Sequence, residues 1–411
     1  MNLLIWTQYF WPENFQINKL ALCLKENDVQ VTVITGKPNY PNGQIFPGYK
    51  AKGVQYENFD GVEVIRLPML PRLAGAVKDL IMNYLSFIIS GYVIGPLALR
   101  GRKFDAVLVY APSPLLQVLP AIFISWMKKA PLVVWVQDLW PQALQSTGFV
   151  NNRFLLWIIE LAVRYIYWCS DSILIQSEAF RGPIQLLVKD NSKIVYFPNS
   201  VEDSQTEISL AIADPQLVAQ ISRKFSVVFA GNIGYAQSCE TIIEAAKMLQ
   251  DYPIDFYLIG SGSKALSISK EIKDRNITNV IMTGQLSPDA IPEIYCAASA
   301  LLITLKNDNA LSVTVPSKLQ TYFSAGKPII AGLKGEAARL VSEAKAGLTC
   351  PPEDAAALAE AVLQLYQLTP IDRAQLGKNG YEYFKKHFHI YMRTQELRSH
   401  LEALTKEFNR K

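Results

Sequence analysis

Two short stretches of this 411-residue chain carry residue types that suit a phosphate ester. The first is Gly231-Asn232-Ile233-Gly234, followed by Tyr-Ala-Gln237. It comes after an apolar run, Val227-Val228-Phe229-Ala230, that reads as a buried strand of a parallel sheet. Ile242, Ile243, Ala246 and Leu249 then recur at helical spacing. Strand, glycine turn and helix together aim backbone N–H groups at an anion, and a nucleoside diphosphate suits such a turn. The turn is neither GxGxxG nor a Walker loop, so an ordinary strand-to-helix connection is the plain alternative. The second stretch is Val315-Pro-Ser-Lys318, where Pro316 and Ser317 suit a helix start. Gly326 and Pro328 suit its stop, ahead of a buried strand at 328–331. Lys318 would then lie in a first helical turn, where a cation opposes the dipole. A bound anion accounts for it; a solvated surface lysine is the alternative.

A third group lies far upstream. Gln137-Asp138-Leu139-Trp140-Pro141 closes the apolar strand 132–137. A carboxylate at the carboxyl tip of a parallel strand is where open α/β sheets place ligand-contacting groups. Asp138 contacts a reacting hydroxyl or sugar, or else caps a helix that begins at Pro141.

Positioning these groups requires repeated strand–helix units. Residues 2–7 read as a first strand, a helix with Leu20, Leu22 and Leu24 follows, and 30–36 is a second strand. Further buried strands are expected at 105–110, 172–176 and 194–197. Beyond a polar linker, Glu202–Asp214, the same alternation returns at 255–259, 280–283 and 300–304. Two helices near 354–367 and 371–386 come next, then a charged amphipathic helix over 389–409. The loop 37–50 holds three Pro and two Gly, too many for a regular element. It is also too aromatic for disorder, so a packed functional loop is expected.

Composition excludes several classes. Five scattered cysteines without CxxC spacing argue against a disulfide framework or a zinc site and fit a reducing compartment. The three histidines fall late, at 387, 389 and 400, which disfavours a His-based triad or metal cluster. Residues 1–200 carry 18 Lys/Arg against 13 Asp/Glu, whereas the remainder is nearly balanced. A basic first half suggests an anionic surface or partner there. No basic-aromatic block of the kind that binds nucleic acid is present, so no nucleic acid is expected. The start lacks a basic leader and reads as a strand. Residues 80–99 hold no charged side chain, and apolar runs recur at 114–127 and 154–159. Basic residues flank them, which allows a bilayer span, helices docked on a membrane surface, or buried helices.

The motifs GNIGxAQ and VPSK…AGKP, about 90 residues apart, resemble the nucleotide-sugar domain of GT-B glycosyltransferases of family 4. They are most similar to the bacterial branch that builds O-antigen and capsule polysaccharides, including N-acetylfucosamine transferases. The resemblance implies an α/β chain of two doubly wound Rossmann-like domains with an interdomain cleft. It implies an acceptor domain over 1–203 with membrane-docking helices, a nucleotide-sugar domain over 204–386, and a helix over 387–411 that crosses back.

The implied reaction is metal-independent and needs no cofactor. A sugar, here an N-acetylated deoxyhexosamine, passes with retention from a UDP-sugar to a polyprenyl-diphosphate-linked saccharide. The place would be the cytoplasmic face of the inner membrane, with the protein held peripherally. Carried onto this sequence, the donor would meet Gly231, Asn232, Gly234, Gln237, Gly260, Gly262, Gln285 and Leu286. Asn309, Ser312, Thr314, Ser317 and Thr321 line the remainder, with Lys318 on the phosphates and Asp138 on the acceptor side. Glu13, Asn14, Phe15 and Gln16, with Tyr40 in the 37–50 loop, would face the acceptor.

The sequence also departs from that pattern. Relatives carry Arg and Lys where Asn232 and Gln237 stand, and an E-x7-E pair where Val313 and Thr321 stand. Uncharged amides can donate hydrogen bonds but bring no charge, so Lys318, helix N-termini and other cations must neutralise the phosphates. The competing readings are a GT-B UDP-N-acetylhexosamine epimerase, a dinucleotide oxidoreductase, and a membrane-docked assembly protein that kept the fold and lost its donor residues.

Overall fold

The computed structural model describes residues 1–73, 77–146, 152–205 and 213–410. The linker expected over 202–214 therefore lies partly outside the described residues. The chain divides into two compact units, 1–198 with 390–411, and 199–389.

The first unit is built on an eight-stranded sheet of order β3-β4-β2-β1-β5-β6-β7-β8. Its strands are β1 Asn2–Trp6, β2 Gln30–Thr35, β3 Gln55–Phe59, β4 Val62–Arg66, β5 Ala106–Ala111, β6 Leu132–Val136, β7 Ser172–Ile175 and β8 Ile194–Tyr196. All neighbours pair in parallel except the hairpin β3–β4 at one edge. β5, β6 and β7 are buried along their whole length, which is why their sequences are continuous apolar runs rather than alternations. The chain moves outward from β1 to β2 and β4, then returns to the other side of β1 with β5. That reversal leaves a crevice at the carboxyl ends of β1 and β5, the place where such sheets bind ligands.

Three helices on this unit expose much of their apolar surface. In the helix Val77–Val93, Leu80, Asn83, Phe87 and Gly91 are buried, while Ile81, Met82, Leu85, Ile89, Tyr92 and Val93 face outward. Gly91 permits a close crossing, since a Cβ there would stand 2.8 Å from Pro120 and from Trp6. The helices Val118–Lys128 and Arg153–Cys169 add exposed Phe123, Trp126, Trp157 and Trp168. The uncharged run 80–99 is not one helix: the first ends at Val93 and a short turn, Gly95–Ala98, follows through Pro96. No helix among the described residues is long and apolar enough to cross a membrane.

The helix Ile390–Phe408 belongs to the first unit. Its Leu397 and Leu401 enter the core beside Leu20 and Leu24 of the helix Gln16–Glu26. Arg398 Nη1 donates to Asn27 O at 2.7 Å, and Thr405 Oγ1 to Asp105 O at 3.0 Å.

The second unit is a fully parallel six-stranded sheet of order β11-β10-β9-β12-β13-β14. Its strands are β9 Phe225–Ala230, β10 Ile254–Ile259, β11 Val280–Gly284, β12 Ala300–Thr304, β13 Ile329–Gly332 and β14 Gly347–Cys350. Here the order reverses between β9 and β12, so this crevice opens where Gly231 leaves the sheet.

Candidate active site

In the second unit, two loops meet at the carboxyl ends of β9 and β10. Gly231 N donates to Ile259 O and Ile233 N to Ser261 O, both at 2.8 Å. Glycine is required for this approach: a Cβ on Gly260 would lie 1.9 Å from Gly231 O, and one on Gly262 2.4 Å from Ile233 O. These contacts correct part of the sequence reading. The Gly231 and Ile233 amides stitch the loops together, so only the Asn232 and Gly234 amides of this turn carry no backbone hydrogen bond among the described residues.

Lys318 closes over this turn. The helix Ser317–Ala325 is anchored by buried Tyr322, whose hydroxyl donates to Leu302 O at 3.1 Å and accepts from Ala230 N at 3.3 Å. Lys318 stands one helical turn before Tyr322, on the same face. Its Nζ lies 3.9 Å from the centre of the Phe229 ring, and a Cβ on Gly231 would stand 2.3 Å from its Cε. No salt bridge to Lys318 occurs among the described residues. Burial pulls its ammonium down to about 8, with the nearby Cys239 thiol opposing that shift. An unpaired, desolvated cation at a strand switch point has the features of an anion site.

Two lysines not singled out in the sequence join it. Lys306 Nζ lies 3.4 Å from the centre of the exposed Tyr235 ring, and Lys264 Nζ lies 5.9 Å from the same ring. Lys306 is tied to the turn by its N–H, which donates to Ala236 O at 2.9 Å. Lys264 also pairs with Glu240 at 3.2 Å. The positive charge missing at Asn232 and Gln237 therefore returns from other segments. No motif announces these lysines; only the fold gathers them.

Several other expected donor residues are already engaged. Asn232 Nδ2 reaches Gln237 Oε1 at 3.5 Å, and a Cβ on Gly234 would crowd both side chains. Ser261 Oγ donates to Gln285 Oε1 at 3.1 Å, and Leu286 packs on the core. In the short helix Asn309–Val313, Ser312 Oγ donates to Asn309 O. Thr314 Oγ1 donates to Ala310 O and Thr321 Oγ1 to Ser317 O. These hydroxyls serve their own helices, and Asn309 Oδ1 accepts from Lys334 Nζ at 3.5 Å. Ser317 is exposed at its helix start.

The first unit builds its strand-tip region differently. The N–H of Gln8, two residues past β1, donates to Gln117 Oε1 at 2.7 Å, and its Nε2 donates to Asn83 Oδ1 at 2.7 Å. A buried polar network thus fixes the tips of β1 and β5 and the helix Val77–Val93 against one another. Glu13 is buried, and its Oε1 accepts from the Asn39 and Tyr40 amides at 2.8 and 2.7 Å. Oε2 accepts from Phe10 N at 3.3 Å. Burial lifts its carboxyl to about 7, against the pull of those three amides. Glu13 therefore ties the β1 loop to the β2 loop, and both its oxygens are occupied.

Phe15 and Tyr40 stand 5.4 Å apart, each against Tyr9, and Arg72 lies 5.1 Å from the Tyr40 ring centre. Asn14 is exposed and Gln16 opens the following helix. Asp138 Oδ2 accepts from Ser113 N at 3.0 Å and from Ser113 Oγ at 2.8 Å. Ser113 Oγ in turn accepts from Trp140 Nε1 at 3.1 Å. Burial raises the Tyr84 phenol, with the Arg72 guanidinium opposing that shift and the Asp138 carboxylate adding to it. Arg72 and Tyr84 escaped the sequence reading because they sit in segments with no motif.

No group of three or more His, Cys, Asp or Glu side chains forms a metal cage among the described residues.

Two doubly wound units, the first with one antiparallel edge hairpin, have the GT-B architecture, and the family models that the chain matches make it a glycosyltransferase. More particularly, residues 220–383 match the model of glycosyl transferases group 1, and residues 14–200 that of the glycosyl transferase 4-like domain. The glycosyltransferase WbjE of Pseudomonas aeruginosa is 25% identical over 298 residues, 69% of this chain and 73% of that one. WcaI of Escherichia coli, described as a colanic acid biosynthesis glycosyl transferase, is 24% identical over 347 residues, 79% and 82% of the two chains. Among solved structures, Anabaena HepE in complex with UDP superposes with a TM-score of 0.70 at 12% identity, covering 98% of this chain and 100% of that one. Sucrose-phosphate synthase of Thermosynechococcus elongatus gives 0.70 at 16%, with the same coverage. At those identities the likeness shows the fold alone.

Proposed function

We propose that the chain transfers a sugar from a UDP-sugar, without a metal, to a lipid-linked saccharide in bacterial surface polysaccharide synthesis. The observation that carries the reading is Lys318, unpaired and desolvated, lying over Gly231 at the strand switch point. HepE has been solved with UDP and with UDP-glucose, which supports a uridine diphosphate there. The description of WcaI supports a polysaccharide product.

Breaking the bond between the anomeric carbon and the diphosphate leaves negative charge on the departing oxygen. Lys318 and the Asn232 and Gly234 amides stabilise that charge, aided by Lys306 and Lys264. The departing phosphate takes the acceptor hydroxyl's proton, so the new bond forms on the face the nucleotide leaves and configuration is retained. Asp138, with one oxygen bound to Ser113, orients the acceptor. An N-acetylated deoxyhexosamine is the donor sugar proposed from the motif resemblance.

A calorimetric screen of UDP-sugars against GDP- and ADP-sugars tests this directly. Micromolar binding of at least one UDP-sugar, followed by labelled transfer to a prenyl-diphosphate-linked saccharide, is expected. Failure of every UDP-sugar to bind would overturn the reading.

A further inference from the structure

Tyr235 stands where three loops of the second unit converge. β10, β9 and β12 are neighbours in the sheet, and the loops that leave their carboxyl ends carry Lys264, Tyr235 and Lys306 in turn. Both lysines are pinned to the glycine turn through the main chain. Lys264 N donates to Ile233 O at 3.0 Å, and Lys306 N to Ala236 O at 2.9 Å. Their side chains then close on one ring. Lys306 Nζ lies 3.4 Å from the Tyr235 ring centre, and Lys264 Nζ lies 5.9 Å from it. The ring is 66% exposed, so core packing does not hold it there.

The charges decide what this arrangement can do. Glu240 pairs with Lys264 at 3.2 Å, whereas no salt bridge to Lys306 occurs among the described residues. A carboxylate holds a lysine by cancelling its charge, and must release it before another anion can bind. An aromatic face attracts an ammonium through its quadrupole and leaves the charge in place. A lysine head left in water samples many rotamers, and an anion that binds it must order them. A ring that fixes the head beforehand removes that cost. The Asn232 and Gly234 amides, without backbone partners among the described residues, lie in the same turn as the ring.

We propose that Tyr235 is a positioning residue, whose ring holds Lys306 charged and ordered, with Lys264 beside it, for the diphosphate of the donor. The assignment rests on the proposed function for the nucleotide but not for the diphosphate. If the ring were only structural, its loss would lower stability. If it stacked on a base, its loss would weaken uridine. Positioning does neither and weakens the diphosphate alone.

The test places phenylalanine and its mono-, di- and trifluorinated forms at position 235 of the full chain, because fluorine withdraws charge from the ring face and leaves the ring in place. Calorimetry with UDP, inorganic diphosphate and uridine reads each protein. Tyr235→Phe should hold UDP as the wild type does. Tyr235→Leu should bind UDP about 10-fold more weakly with its melting temperature unchanged. Along the fluorinated series, affinity for UDP and for diphosphate should fall stepwise, by about 5-fold in all. The same series built on Lys306→Met should be nearly flat. A flat series with Lys306 present, or a fall that survives Lys306→Met, would overturn the proposal. So would a parallel loss of uridine binding, which would put the ring on the base, or a drop in melting temperature that tracks the affinity. If diphosphate follows the series and no UDP binds, the proposed function fails and the role of Tyr235 stands. If the wild type binds neither, both fail.

Discussion

The two units reach the same kind of place, a crevice at a strand-order reversal, by opposite means. In the second unit the backbone shapes the site. Gly231 and Gly260 let two loops approach within contact that a Cβ would forbid, and one lysine is laid across them. In the first unit side chains do the shaping. Gln8, Asn83 and Gln117 lock the strand tips, Glu13 holds two loops by three amides, and aromatic rings fill the space between. A backbone-built site suits a ligand with an invariant part, such as a diphosphate, because main-chain geometry hardly varies. A side-chain-built site can be changed one residue at a time, as a varied acceptor demands.

The largest test of that contrast is Lys318→Met, which keeps the aliphatic stem and removes the charge. UDP affinity should fall about 100-fold, roughly 2.7 kcal/mol. The wild-type affinity should itself fall as pH rises through about 8, where the free ammonium deprotonates, and the variant should show no such slope. The stability effect has the opposite sign. The ammonium is held below its usual 10.5, so burying its charge costs the folded chain at pH values below about 8, a penalty that fades between 8 and 10.5. The unliganded variant at pH 7 should therefore melt at or above the wild-type temperature. Calorimetric titration and thermal melts of the same samples check both; a variant that loses UDP affinity and stability together would mean that Lys318 is structural.

The same contrast explains what could be read from the sequence. The second unit's turn was legible because its signals are local: an apolar strand, two glycines, and a lysine just inside a helix start. The central parallel strands were legible as apolar runs buried on both faces. The hairpin β3–β4 and the edge strand β14 were not anticipated, since edge strands alternate or are short and lack that run. Side-chain partners were the least legible. Ser312 and Thr314 have hydroxyls suited to a sugar, yet each bonds its own helix. Arg72, Tyr84, Lys264 and Lys306 carry no motif and acquire meaning only from chain crossings. Glu13 was expected to face a ligand, but its geometry makes it a tie between loops.

A second, smaller effect probes the side-chain-built half. Asp138→Asn keeps an oxygen for Ser113, so the loop should stay in place while the negative charge is lost. Turnover should fall about 30-fold, near 2 kcal/mol, with UDP affinity unchanged. Ser113→Ala separates charge from loop geometry, because it removes one of the two bonds that hold the carboxylate and leaves the charge. If the two variants lose the same turnover, Asp138 acts only as a loop tie. If the loss belongs to Asp138→Asn alone, the charge itself meets the acceptor.

The smallest expected effect lies at Glu13, where the sign depends on pH. Its carboxyl titrates at about 7 in the folded chain, above its ordinary value of 4.5, so the fold binds this proton more tightly than the unfolded chain does. The stability it lends is greatest at or below pH 4.5 and is lost as pH rises through 7. Glu13→Gln carries no such slope, but it places an amide NH2 against backbone donors, Phe10 N or those of Asn39 and Tyr40. The variant should therefore be the less stable protein at pH 5 and improve relative to wild type as pH rises to 8. Only the difference between the two proteins is informative, because carboxylates held low by a cation, such as Glu63 beside Arg102, tilt the whole profile the other way. Urea unfolding at both pH values measures that difference. A gap that stays constant would show that Glu13 is charged throughout, and the loops of the first unit would then be held by an ion rather than by a carboxyl balanced near neutrality.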